Sequence, residues 1–327
     1  MTSLITVNFA HLHLILNHVP TVGSAVALGL LLLALVRRDE TLKHAGLEVL
    51  FVIAVVTLPV YMSGVAAHRE LRDRPELSDT ATRVHQDAAL AGFAATEFAG
   101  FLAWIALWQS RRRGRAARGL VPAVTLLSIV ALALMARSAT LGGEIRHPEI
   151  RTEVSAGAAE PALTTVEGPA QDPERFLTTR ISTFMVYSPW AWPAAEAVHF
   201  LGFSLSFGVL LAVNLRILGV MKQVAFADVH RLLPWGMLGF GVNLITGMLF
   251  FIGQPGQYIE NVPFYWKVVL LMIAGANFLY LTVFKKVWAV DRLDYTLVDK
   301  AMAVSSIFVW LAVLYAGRML PFIGNAF

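Results

Sequence analysis

Histidines at the ends of long apolar stretches are the residues of this sequence best suited to chemistry. His18 lies at the start of the first stretch, His68 closes the second, His85 opens the third, and His199 lies just inside the fifth. Imidazole titrates near neutral pH and is the commonest metal ligand in proteins. Four such side chains on four different stretches favour a shared cofactor site.

Charged side chains within the apolar stretches are the second set of candidates. Glu97, in "AATEFAG", lies in the middle of the third stretch, whereas Arg137, Lys267 and Arg318 lie nearer the ends of theirs. A charge in hydrocarbon is costly, so such a residue usually pairs, lines a cavity or extends to the membrane surface. Glu97 is therefore predicted to be a catalytic carboxylate, as a proton relay or in a quinone site, or else the counter-ion of Arg137.

The composition indicates which elements position these residues. The chain is 57% hydrophobic and 15% charged, whereas soluble domains average ~45–50% and ~25%. We therefore expect an integral membrane protein with an all-α fold, because the strands of a membrane barrel would be shorter and would alternate apolar with polar residues. Eight stretches are long enough to cross the hydrocarbon core: 14–36, 47–67, 87–108, 120–141, 193–215, 232–253, 264–284 and 301–321.

One long polar segment divides the chain. Residues 143–190 are rich in Ala, Glu, Pro and Thr, a composition that buries little apolar surface. The sequence thus predicts two four-helix membrane domains, 1–142 and 191–327, joined by an outer loop over 143–190.

The orientation follows from the basic residues. The loops predicted on one side carry 15 Lys and Arg, those on the other side carry 8, and "RRRGRAAR" at 111–118 belongs to the richer side. The richer side is the cytoplasmic one, so both termini are predicted to be extracytoplasmic. The Arg run is interpreted as this topology signal and not as a nucleic-acid site.

This topology places the four candidate histidines at one depth in the outer leaflet. Three histidines, His11, His13 and His18, lie at the start of the first stretch. His18 is expected to face the bundle, while His11 and His13 are expected above the hydrocarbon core, facing headgroups or water. No role is assigned to the remaining histidines: His44, His147 and His230.

The absence of cysteine limits the cofactors. Disulfides, iron–sulfur clusters and covalently attached c-type haem all need cysteine. A b-type haem needs only two axial imidazoles from neighbouring helices, which we expect from His18, His68 and His85, with His199 as ligand to a second haem. Arg137, Lys267 and Arg318 would neutralise the propionates. Copper, or another metal bound by the same four histidines, is the alternative, although nearby cations would repel it and soft thiolate ligands are missing.

Two resemblances cover most of the chain outside the long loop. The first half, with "HLHLILNHVPTVG", "GLEVLFVIAVVTLPVYMSGVAAH" and "VHQDAALAGFAA", resembles an uncharacterised bacterial family of four-helix membrane domains, which implies haem or metal binding. The second half, with "AEAVHFLGFSLSFGVLLAVNLRILG", "DVHRLLPWGMLGFGVNLITG" and "FYWKVVLLMIAGAN", resembles an uncharacterised family distantly similar to copper-resistance D membrane proteins. Both resemblances imply a bacterial protein of the cytoplasmic membrane.

Three functions are compatible with these residues. The first is a haem b electron-transfer protein that exchanges electrons with quinone or with an extracytoplasmic cytochrome or other redox subunit. The second is a copper-handling or other metal-handling membrane protein. The third is a structural subunit or a transporter without a cofactor. The lipid bilayer is a partner in each of them, and catalysis is left open.

Overall fold

A computed structural model describes residues 8–72, 74, 77–116, 119–146, 176–280, 295–320 and 322. Every regular element in these residues is a helix, with no strand among them. The prediction of an all-α protein is therefore confirmed. Helix is the expected form for apolar stretches of this length, because a helix satisfies its backbone hydrogen bonds within the segment.

Helices of the first part of the chain begin at side-chain caps. The Asn8 side chain accepts a hydrogen bond from the backbone N–H of His11 at 2.8 Å, and the Asp39 side chain accepts one from Thr41 at 2.7 Å. Such caps satisfy the free N–H groups of a first helical turn. The helices are α1 (Phe9–Leu16), α2 (His18–Arg37), α3 (Glu40–Leu71), α4 (Asp79–Arg113), α5 (Leu120–Arg146) and α6 (Leu177–Tyr187).

Helices of the second part often begin with proline or a capping box. Pro234, Pro255 and Pro263 lie in the first turns of their helices, where a missing N–H costs little. Thr296 and Asp299 form a reciprocal capping box at the last helix. The helices are α7 (Ala191–Ile217), α8 (Phe226–His230), α9 (Leu233–Gly253), α10 (Pro255–Ile259), α11 (Val262–Leu279) and α12 (Leu297–Met319).

Seven helical segments of the described chain are long and apolar enough to cross a membrane. An eighth span was predicted over 264–284. The apolar part of α11 at this place, Val262–Phe278, is shorter than the seven segments. Residues 281–284 lie outside the described part of the chain, so the eighth span stays a prediction. The seven segments are Phe9–Arg37, Glu40–Leu71, Asp79–Arg113, Leu120–Ile145, Ala191–Ile217, Phe226–Gly253 and Leu297–Met319.

The chain groups into two compact units. Unit 1 comprises residues 1–106 and 118–180, and unit 2 comprises residues 107–117 and 181–327. The segment predicted as an outer loop, 143–190, is helical at both of its described ends, since α5 extends to Arg146 and α6 begins at Leu177. The interior of that segment lies outside the described residues.

In unit 1 the helices pack through small residues and leucines. α2 lies along α3, and Leu31 and Leu47 are fully buried where they meet. Gly100 of α4 faces Ala54 of α3 so closely that a Cβ at Gly100 would lie 2.2 Å from the Ala54 methyl. Small residues of this kind let membrane helices approach each other. Gly100 therefore brings α4 against α3.

In unit 2, glycines likewise allow α7 and α9 to pack closely. A Cβ on Gly202 would lie 2.9 Å from the carbonyl oxygen of Gly239, and a Cβ on Gly239 would lie 2.6 Å from that of Gly202. The two backbones thus touch at this crossing, which only glycine permits. The crossing fixes α7 against α9 one turn from His199, a predicted site residue.

Candidate functional site

In unit 1, a histidine that was not among the candidates faces the bundle. His13 lies on α1 and packs against α3, with its Nδ1 3.1 Å from the Val60 carbonyl oxygen and 3.2 Å from Ser63 Oγ. Ser63 donates its own proton to that same carbonyl at 2.8 Å, so Nδ1 must be the donor in both contacts. In the neutral ring, Nε2 of His13 therefore carries the free lone pair.

Gly64 of α3 makes the space for this ring. A Cβ at that position would lie 2.8 Å from Cε1 of His13 and 3.2 Å from Nδ1, closer than van der Waals contact allows. The imidazole thus lies directly on the α3 backbone.

His85, a predicted site residue on α4, is held in the same way. Its Nδ1 lies 2.9 Å from the carbonyl oxygen of Ser138 on α5 and donates to it, which again leaves Nε2 with the lone pair. A Cβ on Gly142 would lie 3.1 Å from Cε1 of His85. Each imidazole of the pair is therefore anchored by a backbone carbonyl and backed by a glycine.

His13 and His85 lie within electrostatic range of each other. Both are towards the end of unit 1 where α3 ends and α4 begins, since their anchors Val60 and Ser138 lie in the second half of α3 and of α5. A metal-bound histidine almost always donates its other ring N–H to a carbonyl or carboxylate. Both rings already make this hydrogen bond through Nδ1, so each could bind a metal through Nε2.

The expectation that His18 faces the bundle is wrong, because its side chain is exposed. His18 and His13 are five positions apart, which places them about 140° apart around a helix. Packing of α1 on α3 turns His13 inward and thereby turns His18 outward.

His68 is half-buried among charged groups at the end of α3. Asp79, Arg83 and Arg72 all act on it electrostatically, and Arg83 is itself paired with Asp79 at 2.7 Å. His68 thus lies at the same end of unit 1 as the carbonyl-anchored pair, in more polar surroundings.

Glu97 lies mid-way along α4 with its Oε1 buried and without a hydrogen-bond partner in the described part of the chain. Its neighbour Thr96 is fully buried, and the hydroxyl of Thr96 also has no partner there. Arg137 is exposed, and no ion pair joins it to Glu97 among the described residues. The structure therefore does not support the alternative that Glu97 is the counter-ion of Arg137.

In unit 2, His199 on α7 has a defined orientation. Its Nδ1 lies 2.8 Å from Thr246 Oγ1 on α9, and that hydroxyl donates its proton to the Val242 carbonyl at 2.8 Å. Nδ1 must therefore be the donor to Thr246, and Nε2 carries the lone pair. The ring also meets Phe250 edge-on, with 5.6 Å between the ring centres.

Lys267 of α11 lies near this imidazole, close enough for its charge to act on the ring. Its side chain is half-buried, and a Cβ on Gly317 of α12 would lie 3.5 Å from the ammonium nitrogen. Within the described residues no carboxylate lies at ion-pair distance from Lys267. The structure thus brings together two predicted residues, His199 and Lys267, that are distant in sequence.

Two other charged residues of unit 2, Arg318 and Glu196, have exposed side chains. Arg318 is exposed and lies over the Phe322 ring at 5.4 Å. Glu196, on the turn before His199, is exposed as well. It acts on Tyr258 of α10: burial raises the pKa of the Tyr258 hydroxyl above its usual range, and the Glu196 carboxylate adds to this.

The histidines without an assigned role differ in their surroundings. His11 is exposed, and His147 lies outside the described residues. His230 is buried at 4% exposure in unit 2 and stacks on Trp108, with 5.8 Å between ring centres. Sequence reasoning missed His13 because it began the first span at residue 14. The signal that identifies it is Asn8, a helix N-cap residue type directly before an apolar run.

No group of three or more His, Cys, Asp or Glu in the described part of the chain is placed to hold a metal ion. A haem differs from such a site, since its iron takes four ligands from the porphyrin and two from the protein. Comparisons of the chain with protein-family models, curated proteins and solved structures gave no match. The function must therefore be argued from the site residues themselves.

Proposed function

We propose that the protein is a membrane-integral b-type haem protein that transfers electrons between quinone and an extracytoplasmic redox partner. The observation that supports this is the pair His13 and His85, whose rings are both anchored through Nδ1 to backbone carbonyls at 3.1 and 2.9 Å. Both leave Nε2 free, and both lie at the same end of unit 1. This donor arrangement is the one that haem iron requires of axial histidines.

The surroundings of the pair suit the rest of a haem. Arg72 and Arg83 lie beside His68 at the same end of unit 1, and the exposed Arg137 precedes Ser138, the anchor of His85. These cations would attract the propionates. The apolar helices would surround the porphyrin ring.

The chemistry of the proposal is one-electron transfer. A haem held by His13 and His85 would supply a one-electron carrier. A quinol that is oxidised to a quinone gives up two electrons, which pass one at a time to the oxidised extracytoplasmic partner, and two protons, which pass to water or to protein groups. Glu97, a buried carboxyl with an unpartnered oxygen in the same unit, is the proposed proton carrier.

The test is haem content in histidine variants. Purified protein should show a reduced b-type absorption spectrum with about one haem per chain. His13→Ala and His85→Ala should each lose most of that absorption, because each removes one axial ligand. His18→Ala is the matched control, since it removes an exposed histidine of the same segment, and it should keep the haem.

Two results would contradict the proposal. Haem content that is unchanged in both His13→Ala and His85→Ala would exclude this ligand pair. Protein that contains stoichiometric copper and no iron would favour metal handling instead. Protein without either would favour the structural subunit or transporter.

A further inference from the structure

The pair His199 and Lys267 in unit 2 forms a second polar site within apolar helices. We propose that this pair binds the headgroup of a quinol. The two side chains come from α7 and α11, which both pack against α12, and they lie within electrostatic range of each other. This site adds to the proposed electron-transfer function by assigning a place to its lipid-soluble partner.

The two groups have complementary hydrogen-bonding capacity. His199 uses its Nδ1–H on Thr246, so its Nε2 can only accept a hydrogen bond. The Lys267 ammonium can only donate. A ligand that fits both must present a hydroxyl and an oxygen acceptor, as a quinol does with its two oxygens.

Two side chains of α9 hold His199 in place. Asn243 Nδ2 donates to the His199 carbonyl oxygen at 2.7 Å, and Thr246 fixes the ring one turn further along α9. The free Nε2 is therefore preorganised, and the loss of side-chain entropy on binding is small.

Aromatic rings adjoin the polar pair. Phe250 contacts the His199 ring, and Trp192 packs on Phe250 with 4.9 Å between their ring centres. A planar, weakly polar ligand ring is well accommodated among such side chains. A phosphate or carboxylate would gain nothing from these rings.

A second haem at this position fits less well. Haem iron in an electron-transfer site takes a second axial ligand, and the other described histidine of unit 2 is His230. It lies 16 positions before Thr246 along α8 and α9, which corresponds to roughly 24 Å of helix. His199 would therefore be left without a partner from its own unit.

The experiment is photoaffinity labelling with a short-chain azidoquinol on full-length protein in lipid nanodiscs, under anaerobic conditions. Mass spectrometry should find the label on peptides of α7, α9 or α11, and excess decylubiquinol should compete with it. His199→Gln and Lys267→Met should each weaken competition by about tenfold or more, the effect of one lost charge-assisted hydrogen bond. Lys300→Met and His18→Gln are matched controls that change exposed residues, and they should label like the unchanged protein.

The outcomes separate this site from the haem proposal. Labelling elsewhere, labelling that both site variants leave unchanged, or competition by inorganic phosphate in place of decylubiquinol would overturn the quinol site. Melting temperature and monodispersity, measured on each variant, identify any that fails to fold. For a variant that does fail, a second one, His199→Asn or Lys267→Gln, takes its place. Haem absorbance is recorded on the same samples. Quinol labelling without haem would refute only the electron-transfer proposal, and haem without labelling would refute only the quinol site.

Discussion

Substitution of Gly64 tests the position of the His13 ring directly. In Gly64→Ala, the new methyl carbon would lie 2.8 Å from Cε1 of His13, whereas carbon atoms pack at about 3.5 Å or more. The ring must therefore move away from α3 by about 0.7 Å. The Nδ1 contact with Val60, now 3.1 Å, would lengthen past the limit of a hydrogen bond.

The expected cost can be assembled from known magnitudes. Overpacking costs about 1–3 kcal/mol, and the lost hydrogen bond costs about 0.5–1.5 kcal/mol. The better helix propensity of alanine returns about 1 kcal/mol. Gly64→Ala should thus destabilise the protein by about 0.5–3.5 kcal/mol and, if His13 is an axial ligand, lower its haem affinity.

Two further glycines provide a graded series. In Gly142→Ala the methyl would lie 3.1 Å from Cε1 of His85, so a shift of a few tenths of an ångström suffices, and we expect little net change in stability. At Gly29 of α2 no atom lies within 4 Å of the new Cβ, so Gly29→Ala should be neutral or slightly stabilising.

The assay is the melting temperature in detergent, together with the haem retained per chain. The expected order of melting temperature is Gly29→Ala highest, Gly142→Ala intermediate and Gly64→Ala lowest. A Gly64→Ala protein that melts at the temperature of Gly29→Ala and keeps its haem would refute the placement of His13 on α3. The melting series remains informative if no haem is present.

Three other predictions concern different parts of the chain. Glu97→Gln should fold, and its free energy of unfolding should lie within about 1 kcal/mol of that of the unchanged protein, because Oε1 has no partner among the described residues to lose. Proton-coupled electron transfer should slow in this variant. Loss of expression that is rescued by neutralising Arg137 would contradict this prediction. Asp87 accepts hydrogen bonds from the backbone N–H groups of Leu177 and Thr178 at 2.7 and 2.9 Å and so caps the start of α6. Asp87→Ala should lower the free energy of unfolding by about 1–2 kcal/mol and speed hydrogen exchange at the start of α6, and Asp87→Asn should do so less. Equal exchange in both variants would argue against this cap. A reporter fused after residue 327 should be active outside the cytoplasm, and activity restricted to the cytoplasm would reverse the proposed orientation.

The helices themselves follow from local sequence. Apolar stretches of about 20 residues become helices because lipid offers no partner for backbone polar groups. The positions of His85 and Glu97 along their stretches also fix how far along α4 each residue lies, since rise per residue is constant. These properties need no knowledge of the neighbours.

The faces of the helices could not be predicted in this way. Lipid-facing and bundle-facing positions are both apolar, so the sequence carries little signal for which side of a helix turns inward. Depth along the chain favoured His18 over His13 as the bundle-facing residue, whereas packing of α1 on α3 around Gly64 turns His13 inward and leaves His18 exposed. Glu196 illustrates the same limit, since it shares a face with His199 by spacing and is nevertheless exposed.

Contacts between distant residues were decided by the tertiary structure alone. His199 and Lys267 are separated by 68 positions in the sequence, and the packing of α7 and α11 against α12 brings them together. The opposite charges of Glu97 and Arg137 suggested an ion pair, and the structure leaves the two residues unpaired among the described residues. The sequence by itself determined which groups are present and how far along each helix they lie. Only helix packing decided which of them meet, because side-chain contacts across a bundle depend on the rotation of each helix about its own axis.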